Sequence, residues 1–124
     1  MTLTKGQCLC GAVTVKAELR SSDEVSFQGE DNINLYRASE WGERGFCNNC
    51  GSTLFWRKAG EKGGELAVGL FAGQAGLSLT KEIYIDRRPS WLPHSVNAAQ
   101  WTEAEIEAVY AAREGQNSDE AGNV

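Results

Sequence analysis

No apolar run in this chain approaches the roughly 20 residues that a membrane-spanning helix needs. Basic residues are also in deficit. Twelve Lys and Arg stand against 17 Asp and Glu, for a formal net charge of −5. Phosphate contacts need clustered cations, so the balance speaks against a nucleic-acid partner. The densest basic spot, Arg87-Arg88 with Lys81 nearby, is too short for a stripe and reads as solvated. P-loop, dinucleotide-binding and nucleophile-elbow motifs are all missing. Histidine occurs once, at His94 in "LPHS", and a lone histidine after a proline reads as an exposed loop residue. The opening "MTLTKGQCLCG" lacks the apolar core of a secretory signal. The expectation is a cytoplasmic protein without a membrane segment, where thiols stay reduced.

What remains is a chain of 124 residues, 41% hydrophobic and 23% charged, with 14 glycines and four cysteines. The length predicts one domain, assigned to residues 1–115, with a frayed tail over 116–124 that lacks hydrophobic pattern. A core of this size benefits from a staple.

Most of the chain reads as short strands. In "AVTVKAEL", Val13, Val15, Ala17 and Leu19 alternate with Thr14, Lys16 and Glu18, as in a half-buried strand, and "RSSDE" follows as a polar turn. "VSF", "INLYRAS", "TLFWRK", "ELAVGLFA" and "KEIYIDRR" are further strand candidates, with "QGEDN" and "AGEKGG" as turns. Gly69 inside "ELAVGLFA" suggests a bulge or close backbone approach. "EWGERGFCNNCGS" carries too many breakers for a regular element. One helix is predicted late in the chain. Thr102 and Glu105 form a capping box, Ile106, Val109, Tyr110 and Arg113 make a stripe, and Gly115 is the expected stop. The fold class is mainly β with one C-terminal helix.

The cysteines fall in two tight pairs, Cys8 and Cys10 in "GQCLCG" and Cys47 and Cys50 in "GFCNNCG". A disulfide within the first pair is awkward because alternating side chains diverge. The second pair matches a redox C-x-x-C, but such a motif opens a helix, and here the strand-like "GSTLFW" follows. Two pairs on two turns suit a tetrahedral Zn²⁺, with Gly11 and Gly51 letting the backbone turn N–H groups toward sulfur and Arg44 close enough to help. Four buried free thiols and a rubredoxin-like iron site are the alternatives. Four thiolates would leave no open position on the metal, so such a site is structural.

Three stretches in order, "GQCLCGAVTV", "YRASEWGERGFCNNCGSTLFW" and "KEIYIDRRPSW", make residues Gly6 to Trp91 resemble the glutathione-dependent formaldehyde-activating enzyme family, also called the GFA/CENP-V domain. The resemblance implies an Mss4-like tent of antiparallel sheets around zinc, with Cys8, Cys10, Cys47 and Cys50 at the structural-zinc positions. It also implies a carbon–sulfur lyase of the S-(hydroxymethyl)glutathione synthase kind, with glutathione or another small thiol adduct as partner. The family's catalytic zinc sits in a C-x-C-x-x-C motif between the two pairs. This chain has no cysteine between Cys10 and Cys47, so no catalytic residue carries over, and a second zinc is expected only where that segment exists. A non-catalytic zinc scaffold that binds a partner through its sheet is the other reading. A methionine sulfoxide reductase B-like enzyme would need a cysteine outside the zinc set. An edge-rich β-domain often pairs, so a homodimer is a further expectation.

Among the remaining residues, Glu40 and Glu43 flank Trp41 in a Gly-rich stretch and read as solvated rather than as an acid–base pair. Trp41, Trp56, Trp91 and Trp101 read as core and rim packing.

Overall fold

The computed structural model describes residues 3–18 and 25–119, with side chains to Glu114. Leu19, the "RSSDE" turn and the last five tail positions lie outside the described residues. The chain falls into two compact units, Met1–Ala75 and Gly76–Val124. Among the described residues the fold is mainly β, with antiparallel sheets, one C-terminal helix and no closed barrel.

The first unit holds two antiparallel sheets. One is β1 (Thr4–Gln7), β2 (Thr14–Ala17) and β3 (Val25–Gln28), in that order. The alternation read from sequence sets its faces. Val13, Val15 and Ala17 are buried while Lys16 is exposed. The other sheet runs β4 (Ile33–Arg37), β5 (Gly42–Cys47), β6 (Thr53–Lys58) and β7 (Glu65–Leu66). The core between them gathers Cys8, Val13, Val15, Ala17, Cys47, Leu54 and Phe55, closed by Leu70 and Phe71. Each large apolar side chain fully buried there contributes about 1.5–3 kcal/mol.

Two stretches of this unit depart from their sequence pattern. The breakers of "EWGERGFCNNCGS" predict an irregular segment, yet Gly42–Cys47 is a central strand. Its glycines are covered by aromatics of β6. A Cβ on Gly45 would stand 2.3 Å from Phe55 Cζ, and one on Gly42 would stand 2.9 Å from Trp56 Nε1. The missing side chains are thus the space that the neighbouring rings fill. Opposite them, the register steps from Gly45↔Phe55 to Phe46↔Thr53, so Leu54 is an extra residue that bulges β6. The bulge turns both Leu54 and Phe55 inward. "ELAVGLFA" reads as one strand, but only Glu65–Leu66 pairs, and Val68–Phe71 winds into a 3-10 turn. Gly69 sits in that turn, and a Cβ added to it would meet nothing within 4 Å, so it marks neither bulge nor close approach.

In the second unit β8 (Lys81–Ile83) and β9 (Ala99–Trp101) form a short parallel pair, and α1 spans Glu103–Asp119. "KEIYIDRR" ends as a strand at Ile83. Tyr84 takes a left-handed φ of 56° and Ile85–Arg87 turns as 3-10, so Ile83 and Ile85 do not share a strand face. The capping box forms as expected. Glu105 N–H donates to Thr102 Oγ1 and Thr102 N–H donates to Glu105 Oε1, both at 3.2 Å. Asp86 Oδ1 accepts from Glu103 N–H at 2.8 Å and adds negative charge at the helix start. Ile106 is the buried member of the stripe. The helix does not stop at Gly115 but runs to Asp119, into the stretch expected to be a frayed tail.

Candidate metal centre

Two turns present the four cysteines. Cys8 follows β1, and its N–H donates to Val13 O at 3.0 Å while Gly11 N–H donates to Cys8 O at 3.1 Å. Cys47 ends β5, its N–H donating to Ser52 O at 2.9 Å and Gly51 N–H donating to Cys47 O at 2.8 Å. Gly11 and Gly51 have φ of 80° and 79°, a left-handed conformation that favours glycine and closes each loop on itself.

The loops aim backbone donors at sulfur. Val13 N–H points to Cys8 Sγ and Ala12 N–H to Cys10 Sγ, each at 3.4 Å, and Cys50 N–H points to Cys47 Sγ at 3.5 Å. These dipoles offset part of the negative charge that clustered thiolates would carry. Ser52, which the sequence reading missed, ties the two loops together. Its Oγ accepts from Leu9 N–H and lies within 3.1 Å of Cys50 Sγ, which leaves its hydroxyl proton to face that sulfur. A hydroxyl directly after C-x-x-C-G is the signal that could have found it.

The electrostatics differ among the thiols. The Ser52 hydroxyl, then its N–H, pulls the Cys50 thiol down to about 5. Burial pushes Cys8 up, but the Val13 N–H and the sulfurs of Cys10 and Cys47 leave it lowered. The Cys50 N–H draws Cys47 down, yet burial and neighbouring thiols leave it raised. Arg44, expected to assist, takes no part. It is exposed on β5 opposite Tyr36 and Trp56, on the face away from Cys47.

All four cysteines are free, and their Sγ atoms lie within 4.8 Å of one another. Cys8 and Cys10 stand at 3.6 Å, and Cys10 and Cys47 at 3.8 Å. Tetrahedral zinc with Zn–S bonds of about 2.3 Å places its sulfurs roughly 3.8 Å apart. The donor set therefore fits such an ion in both chemistry and spacing. The sequence pairs, 37 positions apart, are brought to one point.

The other residues singled out from sequence do not join this cluster. His94 is no free loop residue. Arg88 Nε–H donates to its Nε2 at 2.8 Å, so the ring proton sits on Nδ1 and faces Glu82 Oε2 at 2.9 Å. The Arg87-Arg88 pair is likewise engaged. Arg87 grips Glu103 through two nitrogens at 2.7 and 3.1 Å, and Arg88 also bonds the carbonyls of Pro89 and Leu92. Glu43 is buried, not solvated, and meets Arg57 Nε at 2.7 Å, while Glu40 is exposed. None of the tryptophans is fully buried. Trp41 and Trp91 are exposed, Trp56 packs edge-on against Trp41 at 5.8 Å, and Trp101 is half-buried. Among the described residues no helix is long and apolar enough to cross a membrane.

Against known proteins, the chain is 23% identical over 127 residues to an uncharacterized lyase of Schizosaccharomyces pombe, an alignment covering 82% of this chain and 93% of the relative. No family model matches it, and no solved structure does.

Proposed function

We propose that this protein is a zinc-stabilised β-domain of lyase type, in which Cys8, Cys10, Cys47 and Cys50 hold one structural Zn²⁺. The observation that carries this reading is the cluster of four free thiols within 4.8 Å, fed by N–H donors from both loops. When bound, the ion supplies a cross-link between two turns distant in sequence, and its binding energy becomes folding energy. The chain's own residues supply the rest. Gly11 and Gly51 close the loops, and Ser52 joins them. Four unbridged cysteines suit a cytoplasmic setting, where thiols stay reduced.

The lyase relative and the motif resemblance to the glutathione-dependent formaldehyde-activating enzymes support a finer reading. On it, the domain descends from enzymes that join formaldehyde to the glutathione thiol, and a small thiol adduct is its ligand class. That chemistry needs a metal position open to a thiol or carbonyl. A four-thiolate zinc has none, and every cysteine of the chain is already in the cluster. This favours a second reading, a non-catalytic zinc scaffold that acts by binding a partner.

Native mass spectrometry and a formaldehyde assay on the zinc-loaded protein test both. One zinc per chain, lost on Cys47→Ser, is the expected result, and a zinc-free folded protein would overturn the structural-zinc reading. Glutathione-dependent loss of formaldehyde would establish the lyase reading. A folded, zinc-loaded and inert protein would favour the scaffold.

A further inference from the structure

One face of the β1–β2–β3 sheet carries an arrangement that the zinc centre does not use. The register places Lys5 directly opposite Lys16, with Ser26 next in the same row, and Gln7, Thr14 and Gln28 in the adjacent row. Directly opposed residues of an antiparallel pair have Cβ atoms about 5 Å apart, and like charges there are destabilising. Among the described residues neither ammonium has an ion-pair partner. Glu18 follows β2 but does not line this groove. The six side chains line an open groove of about 650 Å³, bordered by Leu70, Phe71, Gly73 and Gln74, with no Asp, Glu or Arg among its described lining residues. In a chain of net charge −5, two exposed lysines opposed across a strand pair with no ion-pair partner among the described residues stand out.

We infer that this groove binds the phosphate group of a small molecule. The chemistry selects phosphate over carboxylate. Carboxylates are matched by the planar fork of arginine, which is absent from the described lining, whereas lysine binds phosphate as a compact point charge. Two ammonium groups match a dianion, and the hydroxyls of Thr14 and Ser26 with the carboxamides of Gln7 and Gln28 supply donors to its remaining oxygens. Binding removes the Lys5–Lys16 repulsion, so the folded apo protein is prepared for a counter-charge at that point. Two lysines are too few for a nucleic-acid backbone. Nothing in the groove depends on the zinc reading.

The test is an amide NMR titration at neutral pH with inorganic phosphate, and separately with glycerol 3-phosphate, against sodium chloride of matched ionic strength. Saturable shifts centred on Lys5, Gln7, Thr14, Lys16, Ser26 and Gln28 are expected. Affinity should weaken by about tenfold or more in Lys5→Gln/Lys16→Gln, as loss of two charge contacts implies. Tighter binding of the ester marks an organic phosphate as the occupant, and equal binding marks the phosphate group alone. Lys16→Glu separates binding from folding. It should raise the melting temperature by converting a repulsive pair into an attractive one, while abolishing saturation. Shifts that chloride reproduces, or that both lysine variants retain, would overturn the inference.

Discussion

Cys10 and Cys47 stand 3.8 Å apart, sulfur to sulfur, although 37 positions separate them in sequence and one is exposed while the other is buried. Their approach closes the loop between two sheets, so a metal on them would act as a staple for the first unit. The difference in burial also ranks the four ligands.

On the structural-zinc reading, Cys47→Ser should remove zinc and lower the melting temperature sharply, because it also leaves a polar group in the core beside Leu54 and Phe55. Cys10→Ser should cost the same zinc but less stability, since its side chain contributes little packing. Thermal melts with and without a chelator separate the two contributions. Equal melts for wild type, chelated protein and Cys47→Ser would refute the staple.

The Glu43–Arg57 pair gives a pH dependence with a defined sign. The two residues face each other in the β5–β6 register, and Arg57 also lies over the Phe55 ring at 4.8 Å. Its guanidinium hydrogen bond holds the Glu43 carboxyl below its ordinary 4.5, against the opposing effect of burial. A carboxyl lowered on folding stabilises the protein fully above its unfolded value, and that contribution fades as pH falls through the folded value. Acid melts of the wild type should therefore fall away below about pH 4.5. Glu43→Gln should flatten that part of the profile while lowering stability at neutral pH. Superimposable acid profiles for the two proteins would remove Glu43 from the account.

How much of this is legible in the sequence depends on whether the cause is local. The alternation of Val13, Val15 and Ala17 shows because one face of β2 is buried, and the Thr102–Glu105 cap shows because both partners lie within one turn. The cysteine cluster is legible because each loop supplies two ligands at short spacing. Strand β5 is not, since the rings that compensate Gly42 and Gly45 come from β6. Glu43 looks solvated because its partner lies 14 positions on, across a register no local pattern encodes. His94 looks idle for the same reason, its partner Glu82 being 12 positions back.

His94→Ala should not be silent for stability. The ring joins Arg88 to Glu82, and its hydrogen bond, with that of Ser95 N–H, holds the Glu82 carboxyl below its ordinary range. Removing the ring takes one hydrogen-bond partner from each of two half-buried charged groups, so the melting temperature should fall by a few degrees. Zinc content should stay unchanged, because the network of Glu82, Arg88 and His94 contains no cysteine. His94→Gln, able to bond both neighbours, should recover part of the loss. A melt unchanged by His94→Ala would return the residue to the idle role that its position in the sequence suggests.

Gly45→Ala is expected to be among the most damaging single-methyl additions in the chain. The new Cβ would sit 2.3 Å from Phe55 Cζ and 2.4 Å from Cε2, well inside contact distance. The ring has nowhere to go. Phe55 is 3% exposed, packs on Phe27 at a centroid distance of 5.4 Å, and carries the Arg57 guanidinium on its face. Overpacking of this kind costs about 1–3 kcal/mol. That corresponds to a drop of several degrees in a domain of this size. Gly69→Ala is the matched control. Nothing lies within 4 Å of its added Cβ and its φ is not left-handed, so the change should be neutral or stabilise by about 0.4–1 kcal/mol through the unfolded chain. Equal melts for the two variants would mean that Phe55 does not occupy the space over Gly45, and the explanation of β5 as a glycine strand roofed by aromatics would fail with it.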